Sequence, residues 1–459
     1  MNQREPAPTE RPVGLTIAGS DSGGGAGIQA DIQTMAAHDV FATSAVTSVT
    51  AQHTRGVTAS TVLDPEDVTA QLDAVFDDFA VGAAKTGMLG TEPVVRAVAD
   101  RLAEADLPVV VDPVMVATSG DRLLSDGAEA AYEALISEAA LVTPNTDEAA
   151  VLTGIEPTDE ASAQQAGEAL VELGADAALV TGGHLPGDDI VDVLVTREGV
   201  ETIRHSRISG AATHGSGCTL SAAVTANLAR GFEMETAVRE AIAFVERALR
   251  YYQNVGEGPG AVHHMVGVRN DAAASATLQA VESVVDELVA ADVSALVPEV
   301  GMNVVGALPF AETTDEVAAV DGRITRLHGG VRPNGGVRFG ASSHVARFLL
   351  AAREEATDLR FAANCRLDDD VEAALEGLDW RVAAYDRDAQ PEPDEEGNTM
   401  QWGARQVFGA AAEDDRPVAV LDHGALGKEP MCKVVAPTPE TLVDRVLGLH
   451  DALDDTLGE

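Results

Sequence analysis

Lysine is almost missing from this chain: Lys85, Lys428 and Lys433 are the only three in 459 residues, and every other basic side chain is arginine. Against 30 lysines and arginines stand 75 acids, a formal net charge of −45. Such a surface repels polyphosphate, so nucleic acid is excluded as an expected partner. Cysteine is also scarce. Cys218, Cys365 and Cys432 lie far apart with no Cys-x-x-Cys pair, which excludes a disulfide framework and a structural zinc site. No apolar run approaches bilayer length, and residues 1–12 are polar, acidic and proline-bearing, without the basic start and apolar middle of a secretory leader. A cytoplasmic protein with no membrane partner is expected, its residues 1–12 a disordered tail. Gly-x-x-x-x-Gly-Lys-Ser/Thr is absent too, so phosphate cannot be held in a Walker cradle.

What is present is long enough for two or three domains, and a hydrophobic share of 45% makes them globular. Short apolar runs at 13–18, 45–50, 83–86, 109–112, 141–143 and 178–181 alternate with helical segments, the pattern of a mostly parallel sheet covered on both faces. A hairpin is expected over 190–195 and 199–205, then helices over 219–229 and 235–253. Glycines 256, 258 and 260 break helix, and small polar residues follow, so the first domain is expected over 13–268, a linker over 269–275 and a second domain over 276–459. The second domain begins with a helix over 276–290 and holds a glycine-rich tract at 329–340. The acidic, proline-bearing stretch 388–398 reads as an exposed loop.

Two distant stretches carry the chemistry. Gly19-Ser20-Asp21-Ser22-Gly23-Gly24-Gly25-Ala26-Gly27 lies between an apolar run and a segment with helical spacing of Ile28, Ile32 and Met35, hence strand, glycine turn, helix. His214-Gly215-Ser216-Gly217-Cys218 precedes another helical stretch. The amides of Gly215, Ser216 and Gly217 then point out of a helix N-terminus, where an anion meets unpaired donors and a favourable dipole. That position would lower the Cys218 thiol pKa, which suits a base or proton relay. Gln52 offers a donor and an acceptor to a ring edge, and Met88 an apolar wall. Asp112, Asn145 and Thr181 follow candidate strands, where ligands gather in open parallel sheets.

With Ala51-Gln52-His53-Thr54-Arg55-Gly56, Lys85-Thr86-Gly87-Met88-Leu89, Asp112-Pro113-Val114-Met115, Thr143-Pro144-Asn145 and Gly182-Gly183-His184, these motifs make residues 15–264 resemble the ribokinase-like kinases that phosphorylate hydroxymethylpyrimidine and then its monophosphate in thiamine synthesis. The resemblance implies an α/β fold, a three-layer αβα domain, with ATP as co-substrate and Mg²⁺ as cofactor. It implies Cys218 as catalytic base, Gly19, Asp21, Gln52 and Met88 at the pyrimidine, and Asp112, Thr181, Gly215, Ser216 and Gly217 at ATP. Asn145 and Glu148, with Asp112, would serve the metal, while Glu148 also reads as an ordinary N-terminal helix charge. Thr118 and Thr181 stand where many relatives have lysine. Either bound K⁺ or Mg²⁺ compensates, or the general loss of lysine is being seen.

From 301 to 436 the motifs Asp321-Gly322-Arg323, Gly340-Ala341-Ser342-Ser343-His344, Ala363-Asn364-Cys365-Arg366, Met400-Gln401-Trp402-Gly403 and Asp422-His423-Gly424 to Met431 resemble archaeal-type thiamine-phosphate synthases, a second, smaller α/β domain. The reaction implied joins pyrimidine diphosphate to thiazole phosphate. Arg323 is then assigned to the departing diphosphate, His344 to proton transfer or phosphate contact, and Ser342, Ser343, Arg347, Arg366 and Lys428 to phosphate.

Two other readings compete: a pyridoxal kinase, against which Gln52 and Met88 favour the pyrimidine, and a kinase whose second domain senses thiamine phosphates. The second finds no helix-turn-helix in the chain, and the retained Arg323 and His344 speak for synthesis. The expected assembly is a homo-oligomer. Self-repulsion at this net charge destabilises a compact fold in dilute buffer, whereas at molar salt the Debye length falls to about 3 Å. A salt-rich cytoplasm is the hypothesis, and the melting temperature should climb steeply from low to molar KCl. An unchanged melting curve would reject it.

Overall fold

The computed structural model describes residues 10–115, 131–183, 185, 187, 189–208, 214–387, 390, 398–412, 415–425 and 427–458. The expectations for residues 1–9, for Thr118 and His184, and for nearly all of the 388–398 loop lie outside them. The chain divides into two units, residues 1–266 and 267–459.

The first unit is built on a nine-stranded sheet: β1 (Val13–Asp21), β2 (Phe41–His53), β3 (Gly56–Val62), β4 (Val81–Thr86), β5 (Val109–Val111), β6 (Leu141–Val142), β7 (Ala177–Val180), β8 (Asp189–Thr196) and β9 (Val200–Ser206). Their order is β3-β2-β1-β4-β5-β6-β7-β8-β9. The strands from β2 to β7 are mutually parallel, with β3, β8 and β9 antiparallel at the flanks. Helices α1 (Gly27–Ala37), α2 (Pro65–Asp78), α3 (Glu92–Ala103), α4 (Tyr132–Ile136), α5 (Thr146–Thr153), α6 (Glu160–Glu172), α7 (Ser216–Ala229) and α8 (Met234–Arg250) cover it. β5 shows why the sequence reads as an unbroken apolar run. Val109 and Val111 pack with α2, α3 and α4, while Val110 packs with α7 and α8. A strand covered on both faces has no polar side to alternate. The expected strands and helices of this region are all found, and β3 is an addition. Its run of Thr58, Ser60 and Thr61 exposes too little apolar surface to stand out, because it pairs at the sheet edge.

The stretch expected as a linker at 269–275 is instead mostly helical: α9 (Val266–Ala272) leads almost directly into α10 (Ala274–Ala290). Alanine at 272–274 and 276 is the best helix former, and no glycine or proline interrupts it. Small residues were mistaken for flexible ones.

The second unit holds β10 (Val304–Ala307), β11 (Val317–Val320), β12 (Ile324–Leu327), β13 (Gly330–Pro333), β14 (Val337–Phe339), β15 (Phe361–Arg366), β16 (Val382–Ala384), β17 (Ala419–Asp422) and β18 (Met431–Ala436). Seven form a sheet in the order β14-β11-β10-β15-β18-β17-β16, with β12 and β13 a separate hairpin. Alternation again sorts the faces. Val304, Ala363, Cys432 and Val434 pack with α10, α12 (Asp369–Glu376) and α14 (Pro439–Gly458), whereas Val305, Ala362 and Val435 pack with α11 (His344–Glu355) and α13 (Asn398–Gly409). Among the described residues no helix is long and apolar enough to cross a membrane.

Candidate active sites

In the first unit, β1 loses register with β2 between Ala18 and Ser20. The bulge falls on Gly19, where a Cβ would sit 2.5 Å from Ser48 Oγ and 3.2 Å from Met88 Sδ. The chain then wraps around Asp21. Its carboxylate accepts from the N–H groups of Gly23, Gly25 and Ala26 at 2.7, 3.0 and 2.8 Å, and its own N–H donates to Gln29 Oε1. Burial opposes the Asp21 charge, but His214 and these amides outweigh it and hold the carboxyl below its usual range. Asp21 thus shapes the loop, with its oxygens turned inward on the glycines.

That loop touches the second glycine turn directly. Gly215 caps α7 at φ 81°, and a Cβ there would lie 1.9 Å from the Gly25 carbonyl oxygen. Only glycine fits. His214 Nε2 lies 3.5 Å from Asp21 Oδ2 and 3.4 Å from Gln52 Nε2, so Gln52 borders the turn. The first intrahelical bond of α7 runs from Thr219 N–H to Gly215 O. The amides of Ser216, Gly217 and Cys218 precede it, with Gly217 exposed. Gly19, Asp21, Gln52, Met88 and the 215–218 turn therefore converge as the sequence led us to expect.

Gly27, at the end of the first stretch, lies close enough to the Cys218 sulfur for its backbone N–H to favour the thiolate. The expected lowering of its pKa is not found. Burial pushes the thiol up to about 12; Lys85 pulls it down, while Asp31 and Asp112 push it further up. Two carboxylates and lost hydration outweigh one ammonium and the helix terminus.

Lys85 was missed as a site residue. Completely buried in β4, it donates to Asp31 Oδ1 at 2.8 Å and lies 3.8 Å from Asp112 Oδ2. Burial works against its charge, yet Asp31, the Cys218 sulfur and Asp112 hold the ammonium above its ordinary range. Thr16 donates to Asp31 at 2.6 Å and Ser221, on the second turn of α7, donates to Asp112 at 3.0 Å. The signals were available: a lysine where lysine is avoided, and an acid, Asp31, on the apolar stripe of Ile28 and Met35.

Asp112, Asn145 and Thr181 end the adjacent strands β5, β6 and β7. Thr181 bridges to Asn145, and its hydroxyl turns to the Pro144 carbonyl. Asn145 Oδ1 accepts from Glu148 N–H at 2.9 Å while Glu148 accepts from Asn145 N–H at 3.0 Å, a capping box on α5. Burial first, and then the Asp112 charge, pushes Glu148 up to about 8; Asp112 is raised by burial as well.

In the second unit a cavity of about 1100 Å³ is lined by residues flanking the ends of β10, β11, β15, β16 and β18 and by the start of α11. Arg323, Ser342, Ser343, His344, Arg347 and Lys428 all line it, as expected. Gly322 and Arg323 both have positive φ, 72° and 70°, a backbone rarely held by a non-glycine residue, and Arg323 donates to the Val300 carbonyl. His344 is lowered by burial and then by Arg323, Arg347, Lys428 and Lys433, a convergence of cations on one imidazole. Arg366 is corrected. It ends β15 opposite Met431 but pairs with Asp368, the N-cap of α12, and is absent from the lining. Arg387, Asp422, Tyr385 and Lys433 were missed. Asp422 accepts from Arg387 through both oxygens at 2.7 Å, from Tyr385 at 2.5 Å and from Lys433 at 3.3 Å.

Residues 21–263 match the family described as phosphomethylpyrimidine kinase. The chain belongs to the phosphomethylpyrimidine kinase family. Residues 280–448 match the family described as thiamine-phosphate synthase ThiN, so the second unit is a ThiN domain. The chain is 46% identical to the hydroxymethylpyrimidine/phosphomethylpyrimidine kinase of Rhizobium meliloti over 256 residues, 55% of this chain and 96% of that one. It is 42% identical over 272 residues to the thiamine biosynthesis bifunctional protein ThiED of Geobacter sulfurreducens, covering 59% of this chain and 55% of that protein. Among solved structures it is similar to Bacillus subtilis pyridoxal kinase in an ADP complex, with a TM-score of 0.53 and 34% identity over 56% of this chain and 99% of that one. The ribokinase-like three-layer fold is thereby shared with a pyridoxal kinase, while the phosphomethylpyrimidine kinase family is the one matched.

Glu148 gives this kinase-family site a pH signature. A carboxyl raised from 4.5 to about 8 binds its proton more tightly folded than unfolded, so it stabilises at low pH and the contribution is lost as pH rises through that window. The ligand-free protein should lose stability between pH 5 and 8, and Glu148→Gln, which keeps a capping residue, should flatten the slope by up to one proton, about 1.4 kcal/mol per pH unit. Identical slopes in denaturation series at fixed salt would contradict the coupling.

Proposed function

We propose that the first unit transfers the γ-phosphoryl group of ATP to hydroxymethylpyrimidine and then to its monophosphate, and that the ThiN domain joins the diphosphate to thiazole phosphate, releasing pyrophosphate. The observation that carries the kinase half is the meeting of the two glycine turns, Gly215 against the Gly25 carbonyl and His214 beside Asp21, at the open amides of α7. Gln52 and Met88 offer an aminopyrimidine one hydrogen-bonding edge and one apolar wall. The hydroxymethyl oxygen then lies by the thiol, and the transferred phosphoryl by the amides of Ser216, Gly217 and Cys218, which need no reorganisation to receive its charge.

With the thiol pushed up to about 12, Cys218 is protonated in the ligand-free site at neutral pH. It takes the substrate proton only in its thiolate fraction, so turnover should rise with pH from 7 to 9. Lys85, beside it, favours that thiolate. Asp112 and Glu148 fit Mg²⁺: they are buried carboxylates, near enough for the Asp112 charge to act on Glu148, with the partnerless Tyr132 hydroxyl near them, a hard oxygen set that a hydrated ion prefers. They would hold the ion, which would offset charge on the polyphosphate. Asn145 keeps Glu148 in place.

In the ThiN domain, Arg323 meets the departing diphosphate with Arg347 and Lys428. His344, whose neutral form is favoured by burial and then by its cationic neighbours, supplies an N–H to the same leaving group. Both halves are tested together by supplying hydroxymethylpyrimidine, thiazole phosphate, ATP and Mg²⁺ at molar KCl. Thiamine phosphate should form. Cys218→Ala should slow phosphorylation by about 10²–10⁴-fold and lose the alkaline rise, yet still couple added pyrimidine diphosphate; Arg323→Ala should do the reverse. Near-normal phosphorylation in Cys218→Ala would remove the thiol from the mechanism.

A further inference from the structure

The direction of one open amide at the start of α7 is set from behind. The Gly215 carbonyl and the Ser216 N–H belong to one trans peptide plane and point opposite ways. That carbonyl accepts twice from Thr219, from its N–H at 2.9 Å and from its hydroxyl at 2.8 Å. Turning it away would break both bonds, so the Ser216 N–H is kept facing out of the helix.

Thr219 is held in turn by a histidine from a distant part of the chain. His264 Nε2 lies 3.1 Å from Thr219 Oγ1. A hydroxyl has one proton to give, and the shorter contact, to the Gly215 carbonyl, takes it. The Thr219 oxygen therefore accepts, and His264 carries its proton on Nε2. The residue before it anchors the segment: His263 N–H donates to the Ala248 carbonyl, and His263 Nδ1 lies 3.1 Å from the Tyr251 carbonyl oxygen, both at the C-terminal end of α8.

Two features separate this relay from ordinary packing. Thr34, Thr69, Thr153 and Thr225 also bond back to the carbonyl four residues earlier, a common habit of helical threonine. Among these described threonines, Thr219 alone has its hydroxyl oxygen held by a histidine. His264 is only 2% exposed, and its Nδ1 has no hydrogen-bond partner among the described residues. Burial, and then His263, push its pKa down to about 4, so that nitrogen stays bare at neutral pH. An apolar side chain would leave no polar atom stranded there. What histidine adds is the one bond to Thr219.

We propose that Thr219 and His264 are positioning residues for phosphoryl transfer: together they hold the Gly215 carbonyl inward and so aim the Ser216 N–H at the transferred group. An amide fixed beforehand needs no reorganisation when charge develops on the phosphoryl oxygens. The role rests on the reading above that the α7 amides receive that group.

Steady-state phosphorylation of hydroxymethylpyrimidine by the full chain at molar KCl tests it. Thr219→Val, close in shape, should lower kcat about tenfold, less than the roughly 10²–10³-fold cost of a missing donor, with KM for the pyrimidine little changed. His264→Leu should lower kcat while its melting temperature stays level or rises, which a merely structural histidine would not do. His264→Gln, able to present an N–H in place of Nε2, should recover most of the loss. Because both side chains act through one carbonyl, the double variant should be no slower than Thr219→Val alone. Wild-type kcat in both single variants, or a double-variant loss equal to the product of the two, would overturn the proposal. Should Thr219→Val lose its near-ultraviolet dichroism, His264→Leu and His264→Gln carry the test. Amide resonances of residues 216–218 in the wild type, followed on adding a non-hydrolysable ATP analogue, separate this role from the reading beneath it. No shift would remove the anion site and the proposal with it, whereas shifts alongside undiminished kcat in the variants would remove the positioning role alone.

Discussion

The molecule depends on finding positive charge for polyanionic ligands in a chain that carries almost none to spare. Its net charge of −45 repels phosphate at long range. Attraction therefore has to be local and fixed in place. In the first unit the open donors are backbone: three amides at the start of α7, set against the glycine loop by a contact so close that Gly215 could carry no side chain. Backbone dipoles add no formal charge to the surface and cannot be lost when lysine is. In the ThiN domain it comes from arginines and two of the three lysines, gathered around one cavity.

Both solutions rest on buried acids that organise donors. Asp21 gathers three loop amides, Asp31 anchors Lys85 under the thiol, and Asp422 fixes Arg387 and Lys433. Each such acid accepts from two or more donors. That is how a strongly acidic chain keeps rigid positive sites: the acids nearest to them are buried and matched, while the surplus of acids stays in solvent.

Much of this was legible before the structure. β5 declared itself through Val109-Val110-Val111, and the turn at 214–218 through its glycines ahead of a helical run. Arg323 and Lys428 stood out because cations are rare here, and His344 through its motif. What stayed hidden depended on three-dimensional surroundings. Nothing in Cys218 and its neighbours reveals that burial, with Asp31 and Asp112 close by, outweighs a helix terminus. Arg366 looked equivalent to Arg347 until Asp368, two residues on, proved to be its partner. Arg387 sits in no glycine-rich motif, and only the meeting of β16, β17 and β18 shows that Asp422 aims it. The alanines at 272–276 misled for a plainer reason: small residues suit a linker and a helix alike.

The central claim is that anions are held at two built places, the start of α7 and the cation-lined cavity of the ThiN domain. Crystals of the full chain soaked in selenate would show it by anomalous scattering. The account predicts the strongest peaks at the amides of residues 216–218 and among Arg323, Arg347 and Lys428. Peaks confined to surface arginines, with both places empty, would contradict it.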